Sequence, residues 1–112
     1  MRLEATPADP LDRLFVALAD GSRRAMIDRL SRGPATVSEL ARPLDMALPS
    51  ALKHLAVLEA GGVVRSDKVG RVRTYRIRPD AFSGLEAWVA ARKATWNRQL
   101  DRLEHFLAED DT

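Results

Sequence analysis

Hydrophobic and polar residues follow two different periods along the chain. Over the first half, apolar residues recur every three or four positions, which is typical of amphipathic helices. A stretch rich in β-branched residues and centred on Val69-Gly70 then predicts a β-hairpin. Beyond Pro79-Asp80 the helical period returns and predicts one long helix. The predicted helices cover 10–20, 22–33, 36–46, 48–62 and 81–108, and the hairpin covers 63–77.

Local signals place the ends of these helices. Ser22 is a suitable N-cap for the second helix. Thr36 with Glu39 three residues later has the spacing of a capping box at the start of the third. Pro49 belongs in the first turn of the fourth helix, and Gly61-Gly62 can supply the left-handed residue that ends it.

This order predicts a mainly α-helical fold with one small β-hairpin, α-α-α-α-β-β-α. Two short helices joined by almost no linker and followed by a hairpin are typical of a winged helix-turn-helix. We assign 10–108 to this domain, 1–9 to a flexible N-terminus and 109–112 to an acidic tail.

The fourth helix carries the first candidate site. Its predicted buried stripe consists of Leu48, Ala51, Leu55 and Leu58, and the other face carries Ser50, Lys53 and His54. That face is either an ordinary solvated surface or a surface that enters the major groove, where Ser and Lys contact bases or phosphates. The adjoining turn and hairpin favour the groove. The candidate contacts here are Ser50, Lys53, His54 and, at the helix start, Leu48.

Charge is unevenly distributed, although the 112-residue chain has a net charge of only +2. Between Arg65 and Arg78 there are six cations and one anion, Asp67. Arg71 and then Arg73, near the hairpin turn, are the best candidates for contacts with a phosphate backbone or a minor groove. Arg65 and Arg76 are better interpreted as solvated charges that protect a sheet edge.

Polar residues at two helix starts need a separate interpretation. Two cations, Arg23 and Arg24, open the second helix, where the helix dipole does not favour them. We expect Arg24 to pair with an acid such as Asp20 or Glu39, with a phosphate contact as the less favoured alternative. Thr36 caps the third helix, and backbone N–H groups there can also meet a DNA phosphate.

The last helix has more apolar surface than a domain of this size can cover, which predicts an interface. Pairing that surface with the first helix of a second copy would bury it and produce a homodimer. A monomer with the helix folded back is the alternative. The predicted interface residues are Leu11, Leu14, Phe15, Leu18, Trp88, Trp96, Leu100, Leu103 and Leu107.

Composition excludes several classes of function. The chain has no cysteine and no apolar run long enough to span a bilayer, and Met1–Pro10 lacks the apolar core of a signal peptide. We therefore expect a cytoplasmic protein without membrane partner, thiolate metal site or cofactor. Neither a phosphate-binding glycine loop nor a supported Ser-His-Asp arrangement is present, so we expect no enzyme.

A metal-responsive or ligand-responsive sensor remains an alternative. Asp101 and His105 lie one helical turn apart, with Glu104 and Glu109 nearby, and these side chains are able to bind a metal. Such a pair is also common on solvated helices, so we assign no metal site. A winged helix used for protein–protein contact is a further alternative, although a protein partner would not require the cations at 65–78.

Several segments resemble the ArsR/SmtB family of bacterial winged-helix repressors, over about 11–78. They are "ALADGSRR" (17–24), "VSELA" (37–41), "LPSALKHLAVLEAGGVV" (48–64) and "GRVRTYRI" (70–77). The resemblance, nearest to the cysteine-free branch, implies a homodimeric repressor that binds a palindromic operator in double-stranded DNA, with helix 48–62 in the major groove. Many members have a small hydroxyl residue where this chain has Ala47, and a serine where it has Ala51 or Leu52. These departures imply that fewer polar side chains contact bases. The sequence does not identify the operator or an inducer.

Overall fold

A computed structural model describes residues 9–110, which form two compact units with their boundary between Phe82 and Ser83. The first unit contains four α-helices, a 3₁₀ turn and three β-strands, and the second is a single helix. The helices are α1 Pro10–Leu18, α2 Gly21–Leu30, α3 Val37–Ala41, α4 Leu48–Ala60 and α5 Ser83–Asp110. The strands are β1 Ala35–Thr36, β2 Val64–Val69 and β3 Val72–Ile77. The predicted winged helix-turn-helix is confirmed.

Helix α3 begins with a capping box. The side chain of Thr36 accepts a hydrogen bond from the Glu39 N–H at 3.3 Å, and the Glu39 carboxylate accepts one from the Thr36 N–H at 2.9 Å. This confirms the predicted capping box, and the second bond lowers the pKa of the Glu39 carboxyl.

Pro43 shortens the predicted third helix, which continues as a 3₁₀ turn over Arg42–Leu44. Asp45, in the left-handed region at φ 50°, then redirects the chain toward α4.

The predicted hairpin belongs to a three-stranded antiparallel sheet in the order β1-β3-β2. Val69 pairs with Val72, so Gly70 and Arg71 form a two-residue turn. Gly70 has φ +64°, a positive value at the first turn position as in a type II′ turn. The additional strand, β1, was not predicted. It pairs Ala35 with Tyr75 and anchors the start of the helix-turn-helix to the hairpin.

The connection between α1 and α2 differs from the prediction. Asp20, rather than Ser22, is the N-cap of α2, and its carboxylate accepts a hydrogen bond from the Arg23 N–H at 3.1 Å. The side chain of Arg24 donates to the Leu18 carbonyl at 2.7 Å instead of forming the predicted pair with an acid. The Leu18 carbonyl lies in the last turn of α1, where carbonyls lack an intrahelical partner, so the Arg24 guanidinium satisfies it.

The core of the first unit is formed by apolar side chains from its helices and from the sheet. The largest fully buried ones are Met26, Leu40, Leu55, Leu58, Val63 and Val64. Among residues 9–110 no polar or charged residue is buried. The helix-turn-helix and the hairpin therefore share one hydrophobic core, which fixes their relative positions.

The predicted tails lie largely outside the described residues. Residues 1–8 of the N-terminus predicted to be flexible, and residues 111–112 of the predicted acidic tail, are not among them. Asp9 caps α1 through a 2.7 Å hydrogen bond from the Leu11 N–H. At the other end α5 continues through Glu109 to Asp110, past the predicted end at 108.

Candidate nucleic-acid interface

Helix α4 presents one buried face and one exposed face. Ala51, Leu55 and Leu58 are buried, as predicted. Leu48 is 46% exposed, so its assignment to the buried stripe is wrong. It is the first residue of α4 and lies about one turn before the core contacts begin, which leaves its side chain at the surface. Its assignment as a candidate DNA contact is compatible with that position.

Two of the predicted polar contacts lie on the exposed surface of α4. Ser50 and Lys53 are both exposed. At the start of the helix, the N-cap residue Ala47 provides no side-chain hydrogen bond, and Pro49 occupies the first turn. The first turn of α4 therefore has an exposed hydroxyl and, one turn on, an exposed ammonium group.

His54 lies in a different environment from Ser50 and Lys53. Its side chain is about one-quarter exposed, and its Nδ1 atom lies 3.2 Å from a guanidinium nitrogen of Arg23. The Asp20 carboxylate lies 3.8 Å from the same Nδ1. The structure therefore places His54 between α4 and the start of α2, on the flank of the exposed face. The sequence did not predict these partners.

Thr36 is half-buried, and its hydroxyl oxygen accepts the capping hydrogen bond described above. The structure thus supports the capping role that the spacing predicted. Glu39, its partner in the capping box, also lies 3.9 Å from the Arg29 guanidinium. An acidic side chain beside this helix start makes it a less favourable position for a phosphate than the cationic hairpin.

The hairpin of β2 and β3 is called the wing. Its cations differ in their ion pairs and hydrogen bonds. Arg71, in the turn, is exposed, and no ion pair or hydrogen bond engages its side chain within residues 9–110. Arg73 is exposed and donates to the Ser66 hydroxyl at 2.7 Å. Arg76 pairs with Asp67, the anion of this stretch. Asp67 is thereby neutralised, and the tip of the wing keeps a net positive charge.

In α1, the predicted interface residues separate into two groups. Phe15 is 43% exposed, and Leu11 and Leu18 are half-buried. Leu14 is only 4% exposed and belongs to the core, so its assignment to the interface is wrong. The helical period aligns Leu14 with the buried Ala17, and α1 packs on α4.

In α5, apolar side chains form an exposed stripe along one side of the helix. At about 100° per residue, they fall within an arc of about 120°. The exposed members are Trp88, Trp96, Leu100, Leu103, Phe106 and Leu107, with exposures between 41% and 63%. All the α5 residues predicted to form an interface are therefore at the surface of this helix.

Across residues 9–110 there is no group of three or more His, Cys, Asp or Glu side chains that could hold a metal ion. Asp101 and His105 are both exposed on α5. No helix in this part of the chain is long and apolar enough to cross a membrane.

Known proteins share this combination of a helix-turn-helix and a wing. A family model described as a helix-turn-helix domain matches residues 18–67. An HTH-type transcriptional regulator of Mycobacterium tuberculosis, Rv2034, is 40% identical over 89 residues, 80% of each chain. A crystallised ArsR family transcriptional regulator is 54% identical, with a TM-score of 0.76, over 80% of this chain and 98% of its own. A homodimeric winged helix-turn-helix DNA-binding domain from Mycobacterium bovis is 25% identical, with a TM-score of 0.61, over 90% of this chain and 95% of its own.

Proposed function

Because the chain belongs to the ArsR family of winged helix-turn-helix transcriptional regulators, we propose that it is a homodimeric repressor that binds a palindromic operator. The observation that carries this proposal is that an exposed α4 surface and a cationic wing share one hydrophobic core. A dimer bound across a promoter excludes polymerase by occupancy alone, so repression requires no additional contact. The family match supports the regulatory role.

Helix α4 enters the major groove in this proposal. Ser50 and Lys53 contact base edges or phosphates from the first two turns, which is where helices of this kind approach the bases. Leu48, exposed at the first residue of α4, projects from another side of the helix than Ser50 and Lys53. His54 acts mainly by holding α4 on α2, because its Nδ1 faces Arg23 and Asp20. Thr36 contributes by fixing the start of α3 through the capping box with Glu39.

The wing contacts the phosphate backbone beside the groove. Arg71 is the principal contact because it is exposed at the turn and its side chain has no competing partner in the described chain. Arg73 contributes next, and its bond to Ser66 orients the guanidinium at little cost in conformational entropy. Phosphate contacts of this kind position the protein without determining sequence.

The exposed stripe of α5 supports the homodimer. Six large apolar side chains along one helix would form a patch that monomers rarely expose. We propose that a second copy of the chain covers it, with Leu11, Phe15 and Leu18 of α1 as further contacts. Two-fold symmetry then presents two α4 helices to two half-sites.

Binding-site selection from a random duplex pool, followed by footprinting, tests this function. We expect a protected inverted repeat with half-sites about one helical turn, roughly 10 base pairs, apart. Lys53→Ala should weaken binding to the selected site, whereas Arg32→Ala, which removes the same charge from an exposed position after α2, should not. Equal affinity for selected and random DNA at every salt concentration would contradict the proposal.

A further inference from the structure

We propose that α4 recognises thymine through its C5-methyl groups, with an apolar row formed by Leu48, Leu52 and Ala56. This inference rests on the proposed function and adds the chemistry by which the operator is distinguished. Leu52 is the principal specificity-determining residue in this assignment, and Leu48 is the second. These three residues form the methyl-contact row.

The methyl-contact row is a geometric feature of the helix. Its members are four residues apart, so they lie one above the other on the same side of α4. Leu48 and Leu52 are each 46% exposed, and Ala56 is exposed as well. The row starts at the first residue of α4, in the part of the helix that enters the groove in the proposed function.

Helix α4 as a whole has few side chains that could recognise bases by hydrogen bonds. Bidentate recognition of guanine uses Arg or Lys, and that of adenine uses Asn or Gln. Residues 47–60 contain no Arg, Asn or Gln, and Lys53 is the one lysine. Ser50 adds a single hydroxyl, and His54 is engaged with Arg23. Sequence recognition by α4 must therefore depend largely on apolar contacts.

Charge identifies DNA as the occupant of this surface. The wing carries Arg71 and Arg73 in the same unit as α4, and Asp67 is neutralised by Arg76. An apolar protein partner would not require those cations, whereas a phosphate backbone does. Within the major groove, the C5-methyl of thymine is the apolar group that a leucine or alanine side chain can contact. Each half-site should therefore contain thymines facing the methyl-contact row.

Replacing thymine by uracil removes the methyl group and leaves the hydrogen-bonding edge unchanged. The experiment uses the full chain and the inverted repeat obtained by selection, with each thymine replaced in turn by deoxyuridine. We expect at least one position per half-site at which binding falls about four-fold, or about fifteen-fold when both half-sites are replaced. In Leu52→Ala this sensitivity should disappear at that position, whereas Lys53→Ala should retain it.

The outcomes separate this inference from the proposed function. If the selected repeat binds specifically but every uracil substitution is neutral, methyl recognition is wrong and the regulator assignment stands. Sensitivity that persists unchanged in both Leu48→Ala and Leu52→Ala also overturns the inference, because other groups then make the contact. Failure to select any sequence overturns both. The uracil scan of the unmodified protein requires no variant to fold, and thermal melting verifies folding of the leucine variants.

Discussion

The Nδ1 atom of His54, on α4, lies 3.2 Å from the guanidinium of Arg23, on α2. The same guanidinium donates to the carbonyls of Val16 and Ala17, each at 2.8 Å, at the end of α1. One side chain thus links the C-terminal end of α1 to the helix proposed to enter DNA. The position of Arg23 near a helix N-terminus, unfavourable in isolation, is explained by these carbonyls.

Removal of this link should destabilise the fold. We predict that Arg23→Ala lowers the free energy of unfolding by about 1–2 kcal/mol, since two charge-assisted bonds to partly exposed carbonyls are lost. Urea unfolding measures this change. Arg24→Ala is the matched control, because it removes the same charge but only one exposed bond, to Leu18, and should cost about 0.5 kcal/mol. Equal effects of the two substitutions would show that charge, and not the link, matters.

The end of α4 passes very close to α1 at Gly61. A Cβ atom there would lie 2.8 Å from the Ala17 Cβ and 2.9 Å from the Arg13 carbonyl oxygen. Gly61→Ala should therefore lower the free energy of unfolding by about 2 kcal/mol through overpacking. Its φ of −79° is ordinary, so the cost is steric. Gly84→Ala, where nothing lies within 4 Å, should leave stability unchanged or slightly higher in the same urea titration.

The N-cap carboxylate of Asp20 should make stability depend on acid pH. The hydrogen bond from the Arg23 backbone N–H, aided by the charges of Arg23 and His54, lowers the pKa of Asp20 in the folded state. The unfolded chain, with a pKa of about 3.9, then binds a proton at a higher pH than the folded one. The stability that this carboxylate contributes is complete above about pH 5 and is lost as the pH falls through the folded pKa. Asp20→Asn retains a capping oxygen without the titration.

The measurement is urea unfolding of both proteins between pH 7 and pH 2. The stability advantage of the unmodified protein over Asp20→Asn should be constant near neutrality and should shrink in acid. An advantage that stays the same or grows as the pH falls would contradict the direction of the pKa shift.

Elements with a sustained apolar period were predictable from the sequence alone. The spacing of the leucines was enough to predict helices α4 and α5. The change of period together with Gly70 was enough to predict the hairpin turn. Strand β1 was not predictable, because two residues carry no period and its partner Tyr75 lies far along the chain. Asp20 and Ser22 are both suitable caps. The choice between them depends on where α1 ends.

In the candidate site, too, local sequence patterns were predictable and contacts between distant segments were not. Exposure of Ser50, Lys53 and Arg71 agrees with the amphipathic pattern and the hairpin. Leu48 and Leu14 were misplaced because an apolar residue on the expected face of a helix is buried only where another element covers it. The contact between His54 and Arg23 depends on packing between helices distant in sequence, and no local spacing encodes it.

The wing should determine how steeply DNA binding depends on salt. Each neutralised phosphate contributes about 0.9 to the slope of log K against log salt concentration. Arg71→Ala removes one proposed contact per protomer, so the slope measured by fluorescence anisotropy should become shallower by about two in a dimer. Arg32→Ala lowers the net charge equally and should leave the slope nearly unchanged. If both variants shift it alike, net charge and not the wing accounts for the salt dependence.

The apolar stripe of α5 should hold the two protomers together. Leu103→Asp places a charge in the middle of that stripe, where a dimer would bury it without a partner, and unpaired buried charges are costly. We predict that sedimentation equilibrium finds a dimer for the unmodified protein and a monomer for Leu103→Asp at micromolar concentration. Ala94→Asp adds the same charge at an exposed position on the opposite side of the same helix, about 180° from Leu103, and should leave the dimer intact. The monomeric variant should also lose the footprint over the second half-site, because one wing and one α4 cannot span an inverted repeat. A Leu103→Asp protein that remained dimeric would instead place the subunit contact outside the α5 stripe.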